Sequence, residues 1–102
     1  MTLNPGSRWM SMVCTTEVVV LKAPSLPVSL ECGGTPMTTV GTVRPAGSSI
    51  AAGRDAGTLL GKRYADEPSG LELLCTKGGA GSLSVDGRKL IIRTTAALPS
   101  SD

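Results

Sequence analysis

Cys14, Cys32 and Cys75 are the side chains in this sequence with chemistry of their own to offer. Thiolates ligate soft metals, attack disulfides and pair oxidatively. Free cysteine is also a small hydrophobe that commonly lies buried, and that is the competing reading. None of the three belongs to a C-x-x-C, the spacing that marks thiolate metal sites and redox motifs. The odd count leaves at least one thiol without a partner in its own chain. By strand parity each falls on the apolar face of its segment: Cys14 with Val18 and Val20, Cys32 with Val28 and Leu30, Cys75 with Leu71 and Leu73. The three together are the candidate metal site, for zinc or iron, and any two of them a candidate redox pair. A reactive cysteine needs a cation or a helix N-terminus beside it. Lys77, two residues beyond Cys75 and on the same strand face, is the one sequence neighbour of that kind.

Other chemistries are narrowed by what the chain lacks. It has no histidine, which removes Ser-His-Asp and Cys-His activation, imidazole proton transfer and histidine metal sites. The acidic residues Asp66, Glu67, Glu72 and Asp86 offer carboxylates for acid–base work, but Asp66 and Asp86 sit in turn signals that favour aspartate for backbone reasons. The run Lys77-Gly78-Gly79-Ala80-Gly81-Ser82 has the glycines of a phosphate cradle but precedes a strand pattern rather than a helix, so it reads as a strand-to-strand loop. No catalytic or cofactor-binding residue is assigned, and the balance leans against an enzyme.

The net charge is +2 and the ten Lys and Arg residues are scattered. The only aromatics are Trp9 and Tyr64, so a nucleic-acid surface with stacking side chains is not expected. A lone Trp near a terminus reads as a pin to the core. No apolar run approaches the length of a membrane span, and residues 1–10 lack the apolar stretch of a signal peptide. Membrane is therefore not an expected partner, the expected location is the cytoplasm, and thiols there stay reduced unless ligated.

These residues must be positioned by strands. Thirteen glycines and seven prolines punctuate short apolar stretches along all 102 residues, the rhythm of a β-sandwich or small barrel. With no Phe, the aliphatic residues must fill the core. Residues 1–10 read as an irregular lead-in. Residues 12–22 are β-branched and read as a strand ended by Pro24 and Pro27. Residues 28–32 alternate cleanly, Gly33, Gly34 and Pro36 make a turn, and 37–44 is a further strand candidate. Residues 45–57 read as a flexible loop, with one helical turn considered over 48–52. A strand over 58–65, a turn over 66–70 and a strand over 71–76 follow. Asp86-Gly87 then joins 82–85 to 88–94 in a two-residue hairpin that sets Leu83 opposite Leu90. Residues 98–102 read as a frayed tail.

One stretch carries a resemblance. Ser-Met-Val-Cys at 11–14, the β-branched run that follows it, and Leu30-Glu31-Cys32-Gly33-Gly34-Thr35-Pro36-Met37 together resemble the iron ribbon of desulforedoxin and of the N-terminal domain of desulfoferrodoxin. That family reads C-x-x-C, a β-branched strand, then C-C-G-x-P-M. The resemblance places Cys14 at the second ligand and Cys32 at the third, with Gly34, Pro36 and Met37 continuing the motif. Ser11 falls at the first ligand position and Gly33 at the fourth, so two of four thiolates are missing. It covers about a quarter of the chain, implies a shared ribbon that sets Cys14 beside Cys32, and does not extend to residues 57–98.

The sequence thus predicts an all-β protein, a small antiparallel barrel or two-sheet sandwich, as a single β-rich domain over 1–102. Its expected function is that of a non-catalytic binding or accessory protein, taking a protein partner or a second copy as a homodimer through an exposed sheet edge. The alternative is a thiol-based metal-binding or redox protein using Cys14 and Cys32, with Cys75 as a third thiol.

Overall fold

The computed structural model describes residues 3–43 and 49–93, and these form two antiparallel sheets. The ten strands are β1 (Arg8–Met10), β2 (Glu17–Lys22), β3 (Leu30–Cys32), β4 (Thr35–Pro36), β5 (Thr38–Thr39), β6 (Arg63–Asp66), β7 (Leu71–Lys77), β8 (Leu83–Val85), β9 (Arg88–Lys89) and β10 (Ile91–Arg93). The six-stranded sheet runs β10-β6-β7-β2-β1-β5 and the four-stranded sheet β4-β3-β8-β9. Neither sheet closes on itself, so of the two expected architectures the protein is the sandwich and not the barrel. Among the described residues no helix is long and apolar enough to cross a membrane.

Alternation dictates which faces meet. In β7, Leu71, Leu73 and Cys75 are buried while Glu72 and Leu74 are half-buried on the other face. In β3, Leu30 and Cys32 are buried and Glu31 is not. Val18 and Val20 of β2 lie opposite Cys75 and Leu73 of β7 and complete the inner face of the larger sheet. Leu83 and Val85 of β8 complete that of the smaller. All of these join one apolar cluster with Trp9 and Tyr64. Burying each such aliphatic side chain contributes about 1.5–3 kcal/mol.

Turn chemistry sets the registers. Asp86 and Gly87 both take positive φ, 49° and 82°, as the two-residue turn requires. Val85 then pairs with Arg88, and the Leu90 N–H donates to the Leu83 carbonyl at 3.2 Å. Gly33 and Gly34, at φ 65° and 85°, turn β3 into β4 in the same way. Asp66, the end of β6, accepts both Nε and Nη2 of Arg88 at 3.2 and 2.8 Å and the Ser69 hydroxyl at 2.7 Å. That pairing ties the β8–β9 hairpin of one sheet to the edge region of the other.

Several predicted boundaries are corrected. The lead-in contains β1, where Trp9 is buried against the core and its indole N–H donates to Ser7 Oγ at 3.0 Å. The strand expected over 12–22 begins only at Glu17, because residues 12–15 bend. Pro36 lies in edge strand β4 rather than in the turn. The strand expected over 37–44 is reduced to β5. The strand expected over 58–65 is displaced to β6, with Thr58 making an isolated bridge to Gly79. The run 88–94 divides at buried Leu90, and β9 and β10 belong to different sheets. Residues 44–48, which end the strand expected over 37–44 and begin the expected loop and helical turn, and the tail 98–102 lie outside the described residues.

Candidate functional site

Ser11 begins the site. Its N–H donates to the Thr16 carbonyl at 2.9 Å, closing residues 11–16 into a loop at the end of the β1–β2 hairpin. Its Oγ accepts the N–H groups of Val13 and Cys14, each at 3.1 Å. A serine oxygen has two acceptor positions and one proton. Cys14 Sγ lies 3.3 Å from the same oxygen. Thr16 Oγ1 lies 3.2 Å from the same sulfur. Two hydroxyls therefore flank one thiol and can turn to donate to it once it ionises.

Cys32 enters from the other sheet. It ends β3 and is fully buried, and its Sγ lies 3.7 Å from Cys14 Sγ. The glycine loop between β7 and β8 closes over both sulfurs. A Cβ placed on Gly79 would run into Thr16 Oγ1 and stand 3.0 Å from Cys14 Sγ. One placed on Gly81 would meet Cys32 Sγ at 3.0 Å and Cys14 Sγ at 3.2 Å. At Gly79 a side chain would collide with Thr16, and at Gly81 it would press on both sulfurs. The loop is held down by Thr15 Oγ1 donating to the Gly78 carbonyl at 2.7 Å and Thr58 Oγ1 donating to the Gly81 carbonyl at 2.6 Å.

The two thiols differ in acidity because their surroundings differ. Burial pushes Cys14 up, but the Ser11 and Thr16 hydroxyls and the backbone N–H groups of Thr16 and Gly81 outweigh it, and its pKa falls from 9.0 to about 7. Cys32 is deeper, and burial raises it to about 11; hydrogen bonding from Ser11 opposes the rise and the neighbouring Cys14 charge adds to it. One sulfur is thus set up as a thiolate near neutral pH and the other as a thiol.

The remaining candidates are placed elsewhere. Cys75 is buried in the apolar cluster and its Sγ donates to the Lys77 carbonyl at 3.2 Å. Burial raises its pKa, and the Cys14 charge adds to the rise. Lys77 does not activate it: the ammonium points to solvent and pairs with Glu17 at 3.6 Å. Glu72 pairs with Arg93, Asp66 with Arg88, and Asp86 Oδ1 accepts the Ser29 N–H at 2.9 Å, so these carboxylates are spread over separate structural contacts. Among the described residues no third Cys, Asp or Glu joins Cys14 and Cys32 in a metal-holding group.

A four-thiolate iron or zinc centre does not fit these residues. Cys14 and Cys32 supply two thiolates, and Ser11 stands with a hydroxyl at the position of a third. At Gly33 a Cβ would meet Val13 Cγ2 at 2.5 Å and Ile50 Cγ1 at 3.3 Å, so the fourth position is filled by neighbouring side chains. Sequence reasoning missed Thr16, Gly79 and Gly81 as parts of the site. The one available signal was three glycines within 78–81, which marks a place where backbone approaches something closely.

Comparison with known proteins adds no counterpart: no family model, curated protein or solved structure matches the chain.

Proposed function

We propose that the protein is a thiol-based redox module in which Cys14 is the attacking thiolate and Cys32 the resolving thiol. The observation that carries this reading is the 3.7 Å approach of the two sulfurs with the Ser11 and Thr16 hydroxyls 3.3 and 3.2 Å from Cys14 Sγ. Closing a disulfide brings the sulfurs to about 2.05 Å, a movement within reach of side-chain rotation and small loop shifts. Asymmetry favours a defined order, since the sulfur that ionises first is also the one with partial exposure. A reducing compartment such as the cytoplasm, where the pair rests as thiols, suits this role.

The test is mild oxidation of the reduced chain followed by intact mass and peptide mapping. The expected result is loss of two hydrogens mapping to Cys14–Cys32, reversed by dithiothreitol. Three free thiols after oxidation would reject the reading, and a stoichiometric zinc adduct in the native spectrum would move the assignment to metal binding.

The reading of a binding protein that uses a sheet edge draws on β10. This strand ends the six-stranded sheet, and Ile91 and Ile92 are 48% and 46% exposed on it. An exposed apolar edge is a natural surface for pairing with a second chain. Native mass spectrometry of the full chain checks it: a dimer that Ile92→Lys returns to monomer is expected, and a monomer at all concentrations rejects it.

A further inference from the structure

The crowding around Cys14 points beyond the pairing itself to the class of oxidant. Within 3.7 Å of Cys14 Sγ lie Ser11 Oγ, Thr16 Oγ1 and Cys32 Sγ. The backbone of Gly79 and Gly81 arches over the same atom so closely that even a methyl group there would stand 3.0 to 3.2 Å from it. An organic disulfide carries carbon on both sulfurs, and its attacked S–S bond must line up with the incoming thiolate. That approach needs an open face. A peroxide is two oxygen atoms, and both can accept hydrogen bonds from hydroxyls already grouped at the sulfur.

We infer that the oxidant of the Cys14–Cys32 pair is a small hydroperoxide rather than a disulfide, an inference that rests on the redox reading above. The Cys14 thiolate attacks the terminal peroxide oxygen; an S–O bond forms, the O–O bond breaks, and the leaving alkoxide or hydroxide takes a proton from solvent. Sulfur is oxidised to the sulfenic acid and the peroxide is reduced to alcohol or water. Cys32 Sγ then attacks Cys14 Sγ. The S–S bond forms, the S–O bond breaks, and the departing hydroxide leaves as water with the Cys32 proton. Ser11 and Thr16 are the residues positioned to donate to the oxygen that departs in each step.

The experiment uses the reduced full chain at pH 7 with hydrogen peroxide or oxidised glutathione at equal concentration, quenched by alkylation and mapped by mass spectrometry. Peroxide is expected to close Cys14–Cys32 at least about tenfold faster than oxidised glutathione, since steric access to the thiolate governs exchange. In Cys32→Ser, dimedone is expected to trap a sulfenic acid at Cys14, and Thr16→Val is expected to slow that trapping about tenfold, the effect of one hydrogen bond to developing charge. Comparable or faster closure by oxidised glutathione, or a dimedone adduct confined to Cys75, overturns the inference while the dithiol reading stands. Closure by neither oxidant rejects the dithiol reading itself.

Discussion

Replacing Thr16 by valine deletes one hydroxyl from the shell around Cys14 Sγ and keeps the shape of a side chain that is fully buried. A hydrogen bond to a charged group contributes about 1.5–3 kcal/mol, and the lower end applies to a half-buried sulfur. At about 1.36 kcal/mol per pKa unit, that is roughly one unit. The Cys14 midpoint is therefore expected to rise from about 7 to about 8. The assay is the rate of Cys14 alkylation by iodoacetamide from pH 6 to 10, read by peptide mapping. At pH 7 the ionised fraction falls from about a half to about a tenth, and the greater nucleophilicity of the more basic thiolate recovers roughly threefold of that. The variant is then about twofold slower at pH 7 and about threefold faster near pH 10, so the two curves cross. Two uncrossed curves with midpoints at or above the ordinary 9.0 would refute the claim that these hydroxyls hold the thiolate.

Three further outcomes are expected. Oxidation to Cys14–Cys32 links positions 18 apart in sequence, which should stabilise the chain by up to about 3 kcal/mol, less the lost thiolate hydrogen bonds; urea midpoints of the reduced and oxidised forms check this. The reduced chain's stability contributed by these thiols depends on pH in two opposite ways. Cys14, lowered when folded, contributes fully above pH 9.0 and loses that contribution as pH falls toward about 7. Cys32, raised when folded, contributes fully below pH 9.0 and loses it as pH rises toward about 11. Denaturation under reductant should accordingly show the alkaline loss shrink in Cys32→Ser, the raised Cys75 supplying what remains, and the decline toward pH 7 disappear in Cys14→Ser. Finally, Asp66→Asn replaces the carboxylate that holds Arg88 and Ser69, and a loss of about 1–3 kcal/mol is expected by chemical denaturation; the same variant leaving stability unchanged would mean the link between the sheets carries no energy.

The fold class was legible because alternation survives wherever one face is buried. In β7 and β3 every second residue faces the core, and the sequence pattern alone places Leu71, Leu73, Cys75, Leu30 and Cys32 inward. The Asp86-Gly87 hairpin was legible because the turn demands positive φ and the dipeptide permits it. Other boundaries escaped because their causes are not periodic. The β-branched residues before Glu17 bend rather than extend, since the Ser11 side chain takes the Val13 and Cys14 N–H groups. Arg8-Trp9-Met10 is too short to show a period, and the pairing of Trp9 with Val18 makes it a strand. At the site, the nearness of Cys14 to Cys32 was expected only if the ribbon topology held, while the glycine loop over them comes from residues 78–81. No spacing rule connects positions that far apart, because sheet pairing between β2 and β7 brings them together.

That same pairing sets a timetable during synthesis. Both sheets are completed by the second half of the chain, with β7 inserted between β2 and β6 and β8 added to β3. Residues carrying Cys14 and Cys32 therefore leave the ribosome well before Gly79, Gly81 and β8 exist to cover them. The stretch from Cys32 to Val85, the end of β8, takes about 3–10 s to make at roughly 5–20 residues per second. For those seconds the two thiols lack their cover: Ser11 and Thr16, which lower Cys14, are already made, while Gly81 and the strand that buries Cys32 have yet to arrive.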